Sequence, residues 1–97
     1  MTPAGTFRVG HDHPSLPGHF PGRPIVPGVV LLDLAAAAIE PHLGGRALAG
    51  VPLAKFLLPV RPGQEVGVAF RDAGDGRVAF RCEVDGAAAT LGTLLFA

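Results

Sequence analysis

Cysteine, unbalanced charge and long apolar runs are all scarce in this sequence. Cys82 is the single cysteine, so no disulfide can form within the chain, and one thiol fits a reducing compartment. Formal net charge is zero, from eight basic and eight acidic side chains, with no lysine/arginine run that would grip a phosphate backbone. Nucleic acid is therefore not an expected partner. No uninterrupted apolar stretch approaches the roughly 20 residues needed to cross a bilayer. The N-terminal MTPAGTFRVG also lacks the basic-then-apolar pattern of a secretion signal. These absences predict a cytoplasmic protein with no membrane insertion.

What is present is enough apolar material for one small core. The chain has 97 residues and is 48% hydrophobic, which predicts a single folded domain over residues 1–97. So short a chain buries a limited share of its surface, and such domains often gain stability by pairing with a copy of themselves. A homodimer or higher homo-oligomer is the expectation.

Residues 4–9 read as a short strand. Residues 10–28, GHDHPSLPGHFPGRPIVPG, are crowded with proline and glycine and read as a loop of fixed shape. Residues 29–40, VVLLDLAAAAIE, contain neither breaker, are flanked by Pro27-Gly28 and Pro41, and are rich in alanine, so they read as a helix. Apolar side chains cover nearly its whole circumference, which predicts burial on all sides with Asp33 as the one internal charge. Strands are expected at 51–60, 64–72, 77–84 and 87–96. Val66, Val68 and Phe70 alternate with their neighbours, as do Val78, Phe80, Cys82 and Val84, so these strands have one core-facing side. Arg61-Pro62-Gly63-Gln64, Ala73-Gly74-Asp75-Gly76 and Asp85-Gly86 are turn chemistry, and Asp-Gly is a strong hairpin signal. The reading is α+β: an antiparallel sheet, a meander or close to one, wrapped around one central helix.

The segment that carries chemistry is Gly18-His19-Phe20-Pro21-Gly22-Arg23-Pro24-Ile25-Val26-Pro27-Gly28, followed by the helix bearing Asp33. Gly28 stands at the helix N-terminus, where backbone N–H groups lack intrahelical acceptors and the helix dipole is positive, so this end can hold an oxyanion. Asp33 is expected among Val29, Val30, Leu32, Leu34 and the alanines, where desolvation favours a protonated carboxyl able to donate a proton. The helix N-terminus pulls the other way, so the net balance is open from sequence. His19 is the natural base near neutral pH.

GHFPGRPIVPG with an acidic residue fourteen positions after the histidine resembles the active-site signature of the 3-hydroxyacyl-[acyl-carrier-protein] dehydratases of bacterial fatty-acid synthesis. Ala54-Lys55-Phe56 and Val60-Arg61-Pro62-Gly63-Gln64 resemble that family's strand-turn-strand after the helix, so the similarity runs from about His11 to the C-terminus. The compact HPSLPGHFPGRPIVPGVVLLD run is most similar to the short branch associated with aryl polyene and related pigment pathways. The resemblance implies a hot-dog fold, usually dimeric, with the histidine and carboxylate of one site drawn from different subunits. It implies that His19 abstracts the α proton of the thioester, Gly28 N–H stabilises the enolate-like oxygen, and Asp33 protonates the departing 3-hydroxyl. The implied partner is an acyl carrier protein, and no metal or organic cofactor is required. One departure stands out. Fatty-acid-pathway members usually carry glutamine four residues beyond the carboxylate, where this chain has Ala37, on the same helix face.

Other residues read more plainly. His11, Asp12 and His13 offer metal-ligand types without a further cluster and read as exposed loop residues. Cys82 alternates with core positions and reads as core rather than nucleophile. Gly74-Asp75-Gly76 is a hairpin turn, not a dinucleotide fingerprint. Lys55, Arg61, Arg71, Arg77 and Arg81 read as a solvated face, with Arg23 the basic residue best placed to meet a carrier protein. Fold alone does not fix the reaction. Thioester hydrolysis, double-bond isomerisation and a non-catalytic acyl-binding or scaffolding subunit are the alternatives to dehydration.

Overall fold

The computed structural model describes residues 1–14 and 24–97. Among the described residues, five strands form one antiparallel sheet: β1 (Thr2–Phe7), β2 (Leu48–Phe56), β3 (Val66–Gly74), β4 (Arg77–Val84) and β5 (Ala87–Phe96). One helix, α1 (Gly28–Ile39), packs on the sheet and runs into a 3₁₀ turn (Glu40–Leu43) that contains Pro41. Gly44 ends this run at φ 71°, the left-handed conformation that glycine adopts without steric cost. This is the expected α+β, hot-dog arrangement of a sheet around a helix. No helix among the described residues is long and apolar enough to cross a membrane.

The core follows from strand alternation. Val66, Val68 and Phe70 of β3, Val78, Phe80 and Cys82 of β4, and Leu94 and Phe96 of β5 are buried, and their neighbours along each strand are more exposed. Ala89 and Thr90 break the alternation by both being buried, because the β4–β5 register shifts beside them: Cys82 faces Thr90 while Glu83 faces Ala88, leaving Ala89 as the extra residue. Leu31, Ala35, Ala36 and Ile39 bring one face of α1 onto this surface. At roughly 1.5–3 kcal/mol for each large apolar side chain fully buried, this cluster is the main source of stability.

Hairpin chemistry behaves as expected. Asp85 and Gly86 have φ of 52° and 80°, which suits a tight two-residue turn between paired Val84 and Ala87. Asp75 lies at φ 55° between Gly74 and Gly76, and Asp72 Oδ1 accepts the Gly74 N–H at 2.8 Å.

Three expectations are corrected. The sheet is not a simple meander. Its order is β1-β3-β4-β5-β2, so β2 pairs with β5 at one edge and β3 lies elsewhere. Arg61 and Gln64 do form the expected turn, with Gln64 N–H on Arg61 O at 3.2 Å and Arg61 N–H on Gln64 Oε1 at 2.8 Å, but it belongs to a crossover. Strand limits shift accordingly. Residues 57–60 leave the sheet, β3 starts only after Gln64 has been used in the turn, and β1 stops at Phe7, before Arg8 reaches Gly63 O at 2.7 Å. Lastly, α1 is not buried on all sides. Val29, Asp33 and Ala37, spaced four apart, form an exposed stripe, because the sheet covers only one side of the helix.

Candidate active site

The site grows from the approach to α1. Val26 N–H bonds Val60 O at 2.8 Å, tying residues 24–27 to the segment that leaves β2. Pro27 caps the helix in extended geometry with no side-chain acceptor, and its carbonyl takes both Val30 N–H, at 3.0 Å, and Leu31 N–H, at 3.3 Å. The first-turn amides left over are those of Gly28 and Val29. Opposite them, Leu57 and Leu58 N–H share Ala89 O at 2.8 and 3.2 Å, which fixes the backbone just beyond Phe56.

Between these two segments lies an apolar cavity of about 500 Å³, walled by Ile25, Val26, Gly28, Leu31, Phe56 and Leu57, with Leu58 to Val60 continuing the wall. The Phe56 ring rests on Gly28. A Cβ at Gly28 would sit 2.6 Å from Phe56 Cζ and 2.7 Å from its Cε1, so this position has room only for glycine while the ring stays in place. Close approach to the helix terminus is thus made by a side chain of the same protein.

The expected site residues are distributed as follows. Gly28 borders the cavity. Asp33 does not: it lies about 140° around the helix from Gly28 at 100° per residue, on the exposed stripe with Val29 and Ala37. Of its expected apolar surroundings, Val29 and Ala37 share this exposed face, while Leu32 and Leu34 point to other faces of the helix. His19 and Arg23 lie outside the described residues. The exposed Phe56, Leu57 and Leu58 at the cavity were not singled out from sequence as site residues. Their signal was the unbroken Phe56-Leu57-Leu58-Pro59-Val60 run, which read as the end of a strand.

Elsewhere, the side chains have structural roles. Cys82 is fully buried, and desolvation pushes its thiol up to about 11, which keeps it protonated and inert near neutral pH, as its core position implied. Arg81 pairs with Glu83 at 2.7 Å, while Lys55, Arg61, Arg71 and Arg77 are exposed. His42 Nε2 lies 3.1 Å from Ala4 O and the ring packs tilted by 51° against Phe70 with centroids 5.2 Å apart, joining the 3₁₀ turn to β1 and β3. Among the described residues, no group of three histidine, cysteine or acidic side chains converges as metal ligands would.

Sheet, helix and cavity together define a hot-dog protein with an apolar site at the N-terminal end of its helix. Solved structures share this fold. The dehydratase heterocomplex ApeI:P from Xenorhabdus doucetiae superposes with a TM-score of 0.80 at 22% identity, over 95% of this chain and 83% of that one. A thioesterase from Thermus thermophilus, complexed with coenzyme A and zinc, gives 0.60 at 20% identity, over 97% and 79%. The sequence is more specific. The family model of ApeI-like dehydratases matches residues 2–93. The 3-hydroxyacyl-[acyl-carrier-protein] dehydratase FabZ of Thermus thermophilus is 40% identical over 91% of this chain and 71% of its own length. Its counterpart from Thermomicrobium roseum is 35% identical over 96% and 70%. The chain belongs to the ApeI-like dehydratase family, a group of hydro-lyases related to FabZ.

Proposed function

We propose that this chain removes water from a 3-hydroxyacyl thioester held on an acyl carrier protein, giving the trans-2-enoyl thioester in fatty-acid or polyene-type biosynthesis. The observation that carries this reading is the apolar cavity that ends on Gly28 at the start of α1. An acyl chain suits its apolar walls, and the leftover amides at the helix start can meet a thioester oxygen as negative charge builds on it. In this reading His19 takes the proton from C2, Gly28 N–H holds the oxygen, the C3–O bond breaks as the C2–C3 double bond forms, and Asp33 passes a proton to the departing hydroxyl. One water leaves, and proton exchange with solvent restores both side chains. A positioned acid or base contributes about 100- to 10,000-fold, and an oxyanion donor about 2.7–4 kcal/mol, so this small set is sufficient.

The location of Asp33 bears on assembly. Its stripe faces away from the cavity of its own chain, and Val29 beside it is 65% exposed. Together with the apolar edge strand β2, this stripe suits a second copy of the chain, so that each site draws Asp33 from one subunit and His19 from the other. Residues 1–97 then act as one domain of a cytoplasmic homodimer.

The test is hydration of a trans-2-enoyl thioester by the purified protein, followed by loss of enoyl absorbance, with wild type, His19→Ala and Asp33→Asn. Wild-type turnover that falls by at least about 100-fold in each variant supports the assignment. Release of free thiol in place of hydration would identify a thioesterase. Acyl binding without turnover, unchanged in Asp33→Asn, would identify a non-catalytic subunit.

A further inference from the structure

We propose that Phe56 is the specificity-determining wall of the acyl site, its ring setting the width of the acyl group that can lie beside Gly28. This rests on the dehydratase reading above and adds a residue to it. Phe56 is the one aromatic side chain among the described residues that line the cavity, where the other side chains are aliphatic. Its ring edge touches Gly28, so it borders the same amides that the thioester oxygen would approach.

The wall is held by the sheet. Phe56 pairs with Thr90 across β2 and β5, and the amides of Leu57 and Leu58 both bond Ala89 O. Adjustment at this point is therefore limited to rotation of the ring. Phe56 is nonetheless 53% exposed, an uncommon state for a phenylalanine at the end of a paired strand, and its uncovered surface lines the cavity. A rigidly mounted flat ring makes one side of a slot. Such a slot accepts a planar enoyl group with an unbranched chain and excludes bulk next to the reacting carbons. Gly28 seats the ring, because any side chain there would collide with it, and the aliphatic residues of the cavity supply the other side of the slot.

Selectivity can be read by comparing kcat/KM for a straight-chain trans-2-hexenoyl thioester with that for an enoyl thioester bearing a tert-butyl group beside the double bond. Wild type is expected to favour the straight chain, and Phe56→Ala to shift the ratio toward the branched substrate by about tenfold, the scale of a size mismatch in an apolar pocket. Phe56→Leu, which keeps most of the apolar bulk, should shift it less and guards against a folding defect in the alanine variant. Thermal unfolding of Gly28→Ala, Phe56→Ala and the double variant provides a readout independent of turnover. Gly28→Ala should lower Tm in the wild-type background and lower it less once the ring is gone. Straight-chain hydration by wild type with an unchanged ratio in both Phe56 variants overturns this inference and leaves the dehydratase reading standing. No hydration of either thioester by wild type overturns both.

Discussion

Residues 48–60 and the strand β4 are both rich in apolar side chains and meet different fates. In β4, Val78, Phe80 and Cys82 are buried in the core at alternate positions, and Val84 is partly buried against it. In β2, no residue is buried, and Val51, Leu53 and Phe56 remain 40–53% exposed. Position in the sheet makes the difference. β4 is central, whereas β2 is an edge strand that also tolerates Pro52, a residue unable to donate to a ladder. Close packing joins the two at Gly92 of β5, where a Cβ would fall 2.1 Å from Leu53 O, so β2 approaches its neighbour only because no side chain intervenes. The exposed apolar surface of β2 reaches the cavity at Phe56.

Damage at the cavity end should therefore affect turnover, and damage in the consecutive strands β3 to β5 should affect stability. The largest effect is expected from His19→Ala, a fall in enoyl-thioester hydration of about 100- to 10,000-fold with little change in thermal unfolding. A comparable loss of Tm would break the contrast. Phe80→Ala, deep in β4, should destabilise by about 3–5 kcal/mol in denaturant titration, as a large cavity is left in packed surroundings.

Cys82 provides a smaller test of the same interior. Its folded thiol is raised from 9.0 to about 11, so the folded state holds a proton that the unfolded chain releases in between. The contribution is therefore complete below pH 9 and is lost as pH rises towards 11, by about 2–3 kcal/mol at about 1.4 kcal/mol per pH unit. Denaturant titrations across this range should show that decline in wild type and a shallower one in Cys82→Val. The smallest effect belongs to the more exposed side of β4. Glu83→Gln removes a partly exposed pair with Arg81 and should change stability by less than about 1 kcal/mol.

Much of the fold was legible because its signals are local. Period-two alternation and the Gly74-Asp75-Gly76 and Asp85-Gly86 turns place β3, β4 and β5 next to one another, and Pro27-Gly28 with the alanine run marks α1 to within one residue at each end. The candidate site was legible in its motif more than in its surroundings. Gly28 does stand at the cavity, but the environment expected for Asp33 depends on which side of α1 the sheet covers, and a nearly all-apolar helix carries no record of that choice.

By itself, then, the sequence determined the elements, the hairpins, the burial of Cys82 and the family, since propensity, alternation, turn residues and a contiguous motif all act over a few neighbours in the chain. Tertiary structure alone decided that β2 joins β5 across a long crossover, that Val29, Asp33 and Ala37 face outward, and that Phe56 rests on Gly28. Each of these depends on contacts between residues far apart in sequence, where the outcome is settled by which surfaces fit together and not by which residues are apolar.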